Sequence, residues 1–280
     1  MQRHCIQHSQ QISVSSFDGT LLEVRFYAAT PANGNVQRSR EDAADSTEVA
    51  IIAHPYGFLG GSLNDHVVQA LKNTLCERGI YVLLYNSRGV GKSKGRVSWT
   101  GEPERKDYQA MVDHVVKHFD SSVPGADNYG AEDERKLTVY CCGYSYGSLM
   151  AARAVPPNHA HLKKHVELRY LLISPPISGL VGFLLTPFRT GQYIRALQEV
   201  VTGEIHARQG RPSRKILIIY GGRDTFTDSA SYREWVKQLL GNRQSSSPGL
   251  VSVTEVAEAN HFWTDLKCKS ELLEAVCNWL

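Results

Sequence analysis

Three residues in one chain order could do acyl-transfer chemistry: Ser145, then an aspartate, then His261. The serine lies in Gly143-Tyr144-Ser145-Tyr146-Gly147, after an apolar run (Leu137–Cys142) and before a stretch that reads as helix (Ser148–Val155). Strand, G-x-S-x-G, helix is the pattern of a nucleophile elbow. The serine must sit in a strained turn so that its hydroxyl stands above a sheet edge. The chain passes so close to itself there that side chains two residues either side would collide, hence the glycines. A helix starting at the serine favours negative charge developing on it. Serine is a poor nucleophile without a neighbouring base, and His261 is the candidate base. A carboxylate must fix the histidine tautomer and stabilise the imidazolium as it forms. Asp224 and Asp228 are the candidates, and Asp228 also reads as the N-cap of a helix.

The pentapeptide alone is a weak pattern. Its weight comes from the elements around it. Lys215–Tyr220 reads as a buried strand running into Gly221-Gly222-Arg223-Asp224. Leu250–Val256 alternates as a strand and leads to Glu258-Ala259-Asn260-His261. Val49–Ala53, Tyr81–Tyr85 and Tyr170–Ile173 are further strands, the middle one continuously apolar as parallel central strands are. Helices are expected from Asn64 or Asp65 to Arg78, closed by Gly79, and over Glu104–Phe119, Asp228–Leu240 and Ser270–Leu280, each with an apolar face. Ile12–Ser16 and Leu21–Tyr27, joined through Asp18-Gly19, predict an antiparallel hairpin. Strands alternating with amphipathic helices place the chain in the α/β class, with a parallel sheet covered on both faces. Residues 31–48 and 120–136 are polar and aperiodic and read as surface insertions. Between Ser174 and Arg214 lies an insert with an apolar stretch, Leu180–Phe188, and an expected helix, Tyr193–His206. The apolar stretch reads either as a short cap lining an acyl pocket or as a plain core segment.

Two further motifs carry a resemblance. His54-Pro55-Tyr56-Gly57-Phe58-Leu59-Gly60-Gly61 and Asn86-Ser87-Arg88-Gly89-Val90-Gly91-Lys92-Ser93-Lys94-Gly95, together with the elbow, make the chain resemble an α/β-hydrolase. It is similar to the small, lid-poor serine hydrolases of bacteria and fungi, over about Ile12–Leu280. The resemblance implies one α/β-hydrolase domain over 1–280, doubly wound and mostly parallel, with an N-terminal antiparallel hairpin and a short cap insert. It also selects Asp224, since the G-x-x-D position directly after the strand matches the family. The oxyanion hole needs two backbone N–H groups. One belongs to Tyr146, after the nucleophile. The other is implied for Tyr56 by matching His54-Pro55-Tyr56 to the family's H-G-x. Pro55 departs from that pattern and has no N–H, which leaves Tyr56 or Gly57, with Tyr56 favoured. His54 itself reads as a structural residue of its loop.

Bulk properties exclude several classes. With 280 residues, 42% hydrophobic and 21% charged, the chain can bury a large core. A net charge of +3 is too small and dispersed for a nucleic-acid partner. The six cysteines form no C-x-x-C pair, and the eleven histidines show no metal-ligand spacing, so no metal or cofactor is expected. No apolar run reaches membrane-spanning length, and the N-terminus lacks a signal-peptide core; the expected location is cytoplasmic. Gly91-Lys92-Ser93 imitates the end of a Walker A loop, but Asn86 stands where the motif requires glycine. The expected activity is hydrolysis of an ester or thioester of a small acyl substrate through an acyl-enzyme. A serine peptidase or amidase is the alternative, and a non-catalytic interaction protein a more distant one. Ser145 argues against the epoxide-hydrolase and dehalogenase chemistries of the same fold, which place an aspartate at the elbow.

Overall fold

The computed structural model describes residues 9–30, 46–121, 136–157, 165–177, 195, 215–240 and 251–280. Its strands are β1 (Ser9–Ser15), β2 (Leu21–Tyr27), β3 (Ser46–Ala53), β4 (Tyr81–Tyr85), β5 (Lys136–Tyr144), β6 (His165–Ile173), β7 (Ile216–Gly221) and β8 (Val251–Val256). Its α-helices are α1 (His66–Glu77), α2 (Glu102–Ser121), α3 (Tyr146–Ala151), α4 (Ser229–Leu240) and α5 (Leu266–Trp279). The strands form one sheet in the order β1-β2-β4-β3-β5-β6-β7-β8. β3 to β8 pair in parallel, while β1–β2 and β2–β4 are antiparallel. This is the mostly parallel, helix-covered sheet of an α/β-hydrolase, with its N-terminal antiparallel pair.

Side chains alternate across the strands, and the two sets meet different helices. Val49, Ile51, Leu83, Val139, Cys141 and Ile218 pack with Tyr108, Met111 and Val115 of α2, Leu149 of α3 and Trp235 of α4. Ala50, Ile52, Val82, Tyr140, Cys142 and Ile219 pack with Val68, Leu71 and Leu75 of α1 and Leu272 and Val276 of α5. Apolar positions at helical spacing therefore land where the periodicity placed them. Cys76, Cys141, Cys142 and Cys268 are buried free thiols, small apolar fillers of these layers.

Several elements extend beyond their expected bounds. β3 starts at Ser46, so residues 46–48 of the expected 31–48 insertion are strand; they pair with Lys136–Thr138 of β5, and the Tyr140 hydroxyl donates to Glu48 (3.0 Å). Lys136 likewise opens β5, and α2 runs through 120 and 121, which shortens the expected 120–136 insertion from both ends. β6 begins at His165 because the β5 ladder carries it through polar residues, with Glu167 paired to Arg169 and Lys136. α5 starts at Leu266, capped by Asp265, whose carboxylate accepts the Cys268 N–H (2.9 Å). α3 spans Tyr146–Ala151, starting and ending earlier than the expected Ser148–Val155. Leu180–Phe188, Tyr193–His206, 31–45 and 122–135 lie outside the described residues apart from residue 195.

Candidate active site

The three expected residues meet at the carboxyl edge of the sheet, each at the end of a different parallel strand. Ser145 follows β5 with φ 53° and ψ −123°, a conformation that a residue with a side chain adopts only when its surroundings enforce it. Three contacts enforce it here. The Ser145 N–H donates to Ile173 O (2.8 Å), and its carbonyl accepts from the Ser148 N–H (2.9 Å) and Ser148 Oγ (2.5 Å). The flanking glycines let the chain close up. A Cβ on Gly143 would stand 2.2 Å from Gly147 O, and one on Gly147 would stand 2.4 Å from Ala53 O and 2.7 Å from His54 O. The second contact also presses the loop after β3 against the elbow.

Asp224 follows β7 in a turn shaped by Gly221 and Gly222, whose missing side chains make room for Ala259 O and Ala257 O. Its Oδ1 accepts the N–H groups of Phe226 (2.8 Å) and Thr227 (3.1 Å), leaving Oδ2 for His261 Nδ1 at 2.8 Å. The Tyr232 hydroxyl donates to Pro175 O (2.9 Å) and lies 3.5 Å from the same Oδ2. His261 Nε2 reaches Ser145 Oγ at 2.9 Å. An ionised carboxylate can only accept, so Nδ1 carries the proton and Nε2 is the acceptor facing the serine hydroxyl. Asp228 lies elsewhere: its carboxylate is exposed and accepts the Ser231 N–H (2.8 Å) in the first turn of α4, the capping role read for it.

Residues beyond those expected hold the imidazole. Phe226 stacks on it with ring centroids 4.1 Å apart and planes 15° from parallel. Phe262 meets it edge-on at 5.6 Å. The Tyr144 hydroxyl donates to His261 O (2.7 Å) across 117 residues of sequence. Trp263, at φ 51°, is buried and donates its indole N–H to Ser174 Oγ (3.1 Å), itself at φ 45°. The sequence offered one signal for this aromatic setting, the Phe262-Trp263 pair after His261. Nothing in local spacing pointed to Phe226 or Tyr144, whose contacts cross between strands.

The loop after β3 is locked by His54. The Ser87 N–H donates to His54 Nε2 (3.0 Å), so Nδ1 carries the proton toward Pro55 O (2.5 Å). Burial pushes the His54 pKa down to about 4. The loop then passes Tyr56, whose ring lies 4.7 Å from that of Tyr146, bringing the two residues expected to donate to an oxyanion side by side.

The Asn86–Gly95 turn is a structural knot. Glu23 accepts from Asn86 Nδ2 (2.7 Å) and the Lys92 N–H (2.9 Å), while Ser93 Oγ donates to Asn86 O (2.6 Å). Arg88 is bound by Asp107 through two nitrogens (2.8 and 2.6 Å) and by Asp18 (2.9 Å), which hold its pKa above the usual guanidinium range. Asn86, Ser93 and Arg88 are committed to the fold, so the Walker-like G-K-S belongs to a tight turn. A groove of about 890 Å³ between β1 and α2, lined by Ser15, Phe17, Arg105, Gln109 and His114, contains none of the three site residues.

Comparisons with known proteins agree with this architecture. A family model described as X-Pro dipeptidyl-peptidase (S15 family) matches residues 18–171, more than half of the chain. An uncharacterized protein of Schizosaccharomyces pombe is 50% identical over 240 residues, covering 85% of this chain and 87% of the relative. The chain belongs to the S15 family. It thus belongs to a hydrolase family of the α/β class. Among solved structures, the S15 chain resembles a lidless α/β serine hydrolase of Xanthomonas campestris, at TM-score 0.61 and 20% identity over 100% of this chain and 98% of the other. An α/β serine hydrolase homologue of Coxiella burnetii matches at TM-score 0.60 and 22% identity, covering 99% of both chains. A Pyrococcus furiosus esterase matches at TM-score 0.57 and 19% identity, over 98% of this chain and 93% of that one. These likenesses concern the fold. No described helix is long and apolar enough to cross a membrane, and no three His, Cys, Asp or Glu side chains cluster as metal ligands among the described residues.

Proposed function

We propose that this hydrolase cleaves a carboxylic ester or thioester through an acyl-enzyme, with Ser145 as nucleophile, His261 as base and Asp224 as the orienting carboxylate. The observation that carries the reading is the unbroken chain Ser145 Oγ, His261 Nε2 (2.9 Å), His261 Nδ1, Asp224 Oδ2 (2.8 Å), anchored on a serine at φ 53°. Oγ attacks the carbonyl carbon as Nε2 takes its proton. Asp224, held by two backbone N–H groups, faces the imidazolium that forms. The carbonyl oxygen becomes an oxyanion, for which the Tyr146 and Tyr56 N–H groups are the proposed donors. Nε2–H then protonates the leaving group, and the acyl-serine is hydrolysed by the same steps with water as nucleophile.

The test is labelling with a fluorophosphonate probe, followed by a series of p-nitrophenyl esters. Labelling is expected at Ser145 and absent in Ser145→Ala. kcat/KM is expected to rise by up to about fourfold per methylene, the equivalent of ~0.8 kcal/mol, and then fall when the pocket is full. Neutral acyl chains are expected to outperform charged ones.

The family match favours a second reading, peptidase or amidase. Its matched span, 18–171, contains Ser145 but neither Asp224 nor His261. A dipeptidyl-peptidase must also hold the free α-amine of its substrate, a task for an anionic group. Higher turnover on X-Pro anilides than on any ester, or a flat chain-length profile, would move the assignment to that reading.

A further inference from the structure

The large apolar side chains left exposed among the described residues are unevenly placed. With Val155 as the exception, all sit at the carboxyl ends of the parallel strands, the end that holds Ser145. Phe17 and Leu21 flank the β1–β2 turn. Because β2 runs antiparallel to β4, with Val24 opposite Tyr85, that turn reaches the same end. Phe58 and Leu59 stand in the 3₁₀ turn after β3, which buries none of its own residues. Trp99 is in the loop after β4 and is 69% exposed; Phe262 and Leu266 follow β8, Leu266 at 78%. Exposed apolar groups scattered singly need no explanation, but seven gathered at one end of a sheet do.

Its Phe58–Trp99 part is held in place and runs into the active site. Phe58 stacks on Trp99 (5.6 Å, 29°) and meets Tyr56 edge-on at 5.4 Å, and Tyr56 touches Tyr146 beside Ser145. A Cβ on Gly57 would stand 2.5 Å from Val90 Cγ2, so the 3₁₀ turn is pressed onto the neighbouring loop. Basic side chains lie among the apolar ones. Lys94, whose N–H donates to Leu21 O (2.8 Å), and Arg96 are exposed between Leu21 and Trp99. Neither enters an ion pair among the described residues. Lys106 lies over the Phe17 ring at 4.4 Å. Among the described acids at this end, Asp18 pairs with Arg88 and Glu258 with Arg223, Glu104 accepts from Ser98, and Asp65, Asp228 and Asp265 cap helix N-termini.

We propose that this end of the molecule docks on an anionic lipid surface, with its aromatic and aliphatic side chains in the interface and Lys94 and Arg96 on the lipid headgroups. Exposed Trp, Phe and Leu beside unpaired Lys and Arg is the surface chemistry of interfacial binding. The consequence is that the acyl substrate arrives from the lipid phase along the Trp99–Phe58–Tyr56 path; this second step rests on the hydrolase reading above, and the docking does not.

The experiment is co-sedimentation of the full chain with phosphatidylcholine vesicles, with and without a minority of phosphatidylserine. Binding is expected to vesicles containing phosphatidylserine, weaker to phosphatidylcholine alone, and reduced by salt. Leu59→Ser with Trp99→Ser should lower the bound partition about tenfold or more. Lys94→Gln and Arg96→Gln should each lower it about fivefold on phosphatidylserine vesicles only. Thermal melting checks the fold of each variant, and Leu266→Ser is the second apolar variant should the double one melt early. Absence of vesicle binding by the native chain, or unchanged binding by natively melting variants, overturns the proposal. So does concentration-dependent dimerisation abolished by Trp99→Ser, which would make the patch a contact between two copies. Ester hydrolysis by the native chain separates the two readings: vesicle binding by a native chain that hydrolyses no ester leaves docking standing and the hydrolase reading fallen, hydrolysis without vesicle binding does the reverse, and Ser145→Ala should bind vesicles as the native chain does.

Discussion

His54 and His261 are both 2% exposed at the carboxyl edge of the sheet, and both have their two ring nitrogens in hydrogen bonds. The partners differ. His54 lies between a backbone N–H and a backbone carbonyl, groups that cannot exchange protons with it at ordinary pH, and burial drives its pKa down to about 4. It is a neutral strut joining the loop after β3 to the loop after β4. His261 lies between a carboxylate and a hydroxyl. The carboxylate faces the positive charge that His261 would gain, and the hydroxyl can lose its proton to it. Burial alone therefore does not separate a structural histidine from a proposed base. What matters is whether its neighbours can change protonation with it.

The comparison can be broken from the His261 side first. Ser145→Ala or His261→Ala should each lower kcat by about 10⁶ on an activated ester, with the double variant no worse, because nucleophile and base act as a unit. Additive losses in steady-state assays would mean that they do not. Asp224→Asn should cost about 10⁴ by offering the wrong tautomer, while Asp228→Asn should leave turnover near the native level; the opposite pattern would make Asp228 the acid.

From the His54 side, the effect should appear in stability. His54→Phe leaves the Ser87 N–H and Pro55 O without their partner, an expected loss of about 2–5 kcal/mol in urea unfolding. The same histidine should make stability depend on pH. Its folded pKa, about 4, lies below the ordinary 6.5, so the unfolded chain binds more protons between these values. Stability should be full above about pH 6.5 and fall as the pH drops toward 4, by on the order of 3 kcal/mol from this group. His54→Phe should flatten that part of the profile. The smallest expected effect is at Phe226, whose ring lies flat on the His261 imidazole. Phe226→Leu should lower kcat about three- to tenfold with little change in KM, the scale of a ring-to-cation contact.

A second pair of turns teaches the same lesson. The elbow and the Asn86–Gly95 turn are both glycine-rich, both follow a parallel strand and both carry a serine. In the sequence the latter even imitated a phosphate-binding loop. In the fold, Ser93 donates to Asn86 O and accepts the Glu23 N–H, while Ser145 offers its hydroxyl to an imidazole. Their partners separate the two, since Ser93 is held by its own turn and β2 while Ser145 faces a histidine from after β8.

The sequence by itself determined the class of fold, most element positions, Ser145 and His261, because each rests on a local physical cause, while the choice of Asp224 over Asp228 came from the family resemblance. Apolar periodicity selects helix or strand, glycines mark the close approaches at the elbow, and strand ends order Ser145, Asp224 and His261 along one edge. Tertiary structure decided the rest. Polar stretches such as Ser46–Glu48 and His165–Arg169 became strand because ladder partners satisfied their backbone, a gain invisible in their own composition. The same holds for Phe226, Tyr144 and Tyr232 around the imidazole and for the apolar rim from Phe17 to Leu266. Their roles come from contacts between residues far apart in the chain, and no local pattern encodes them.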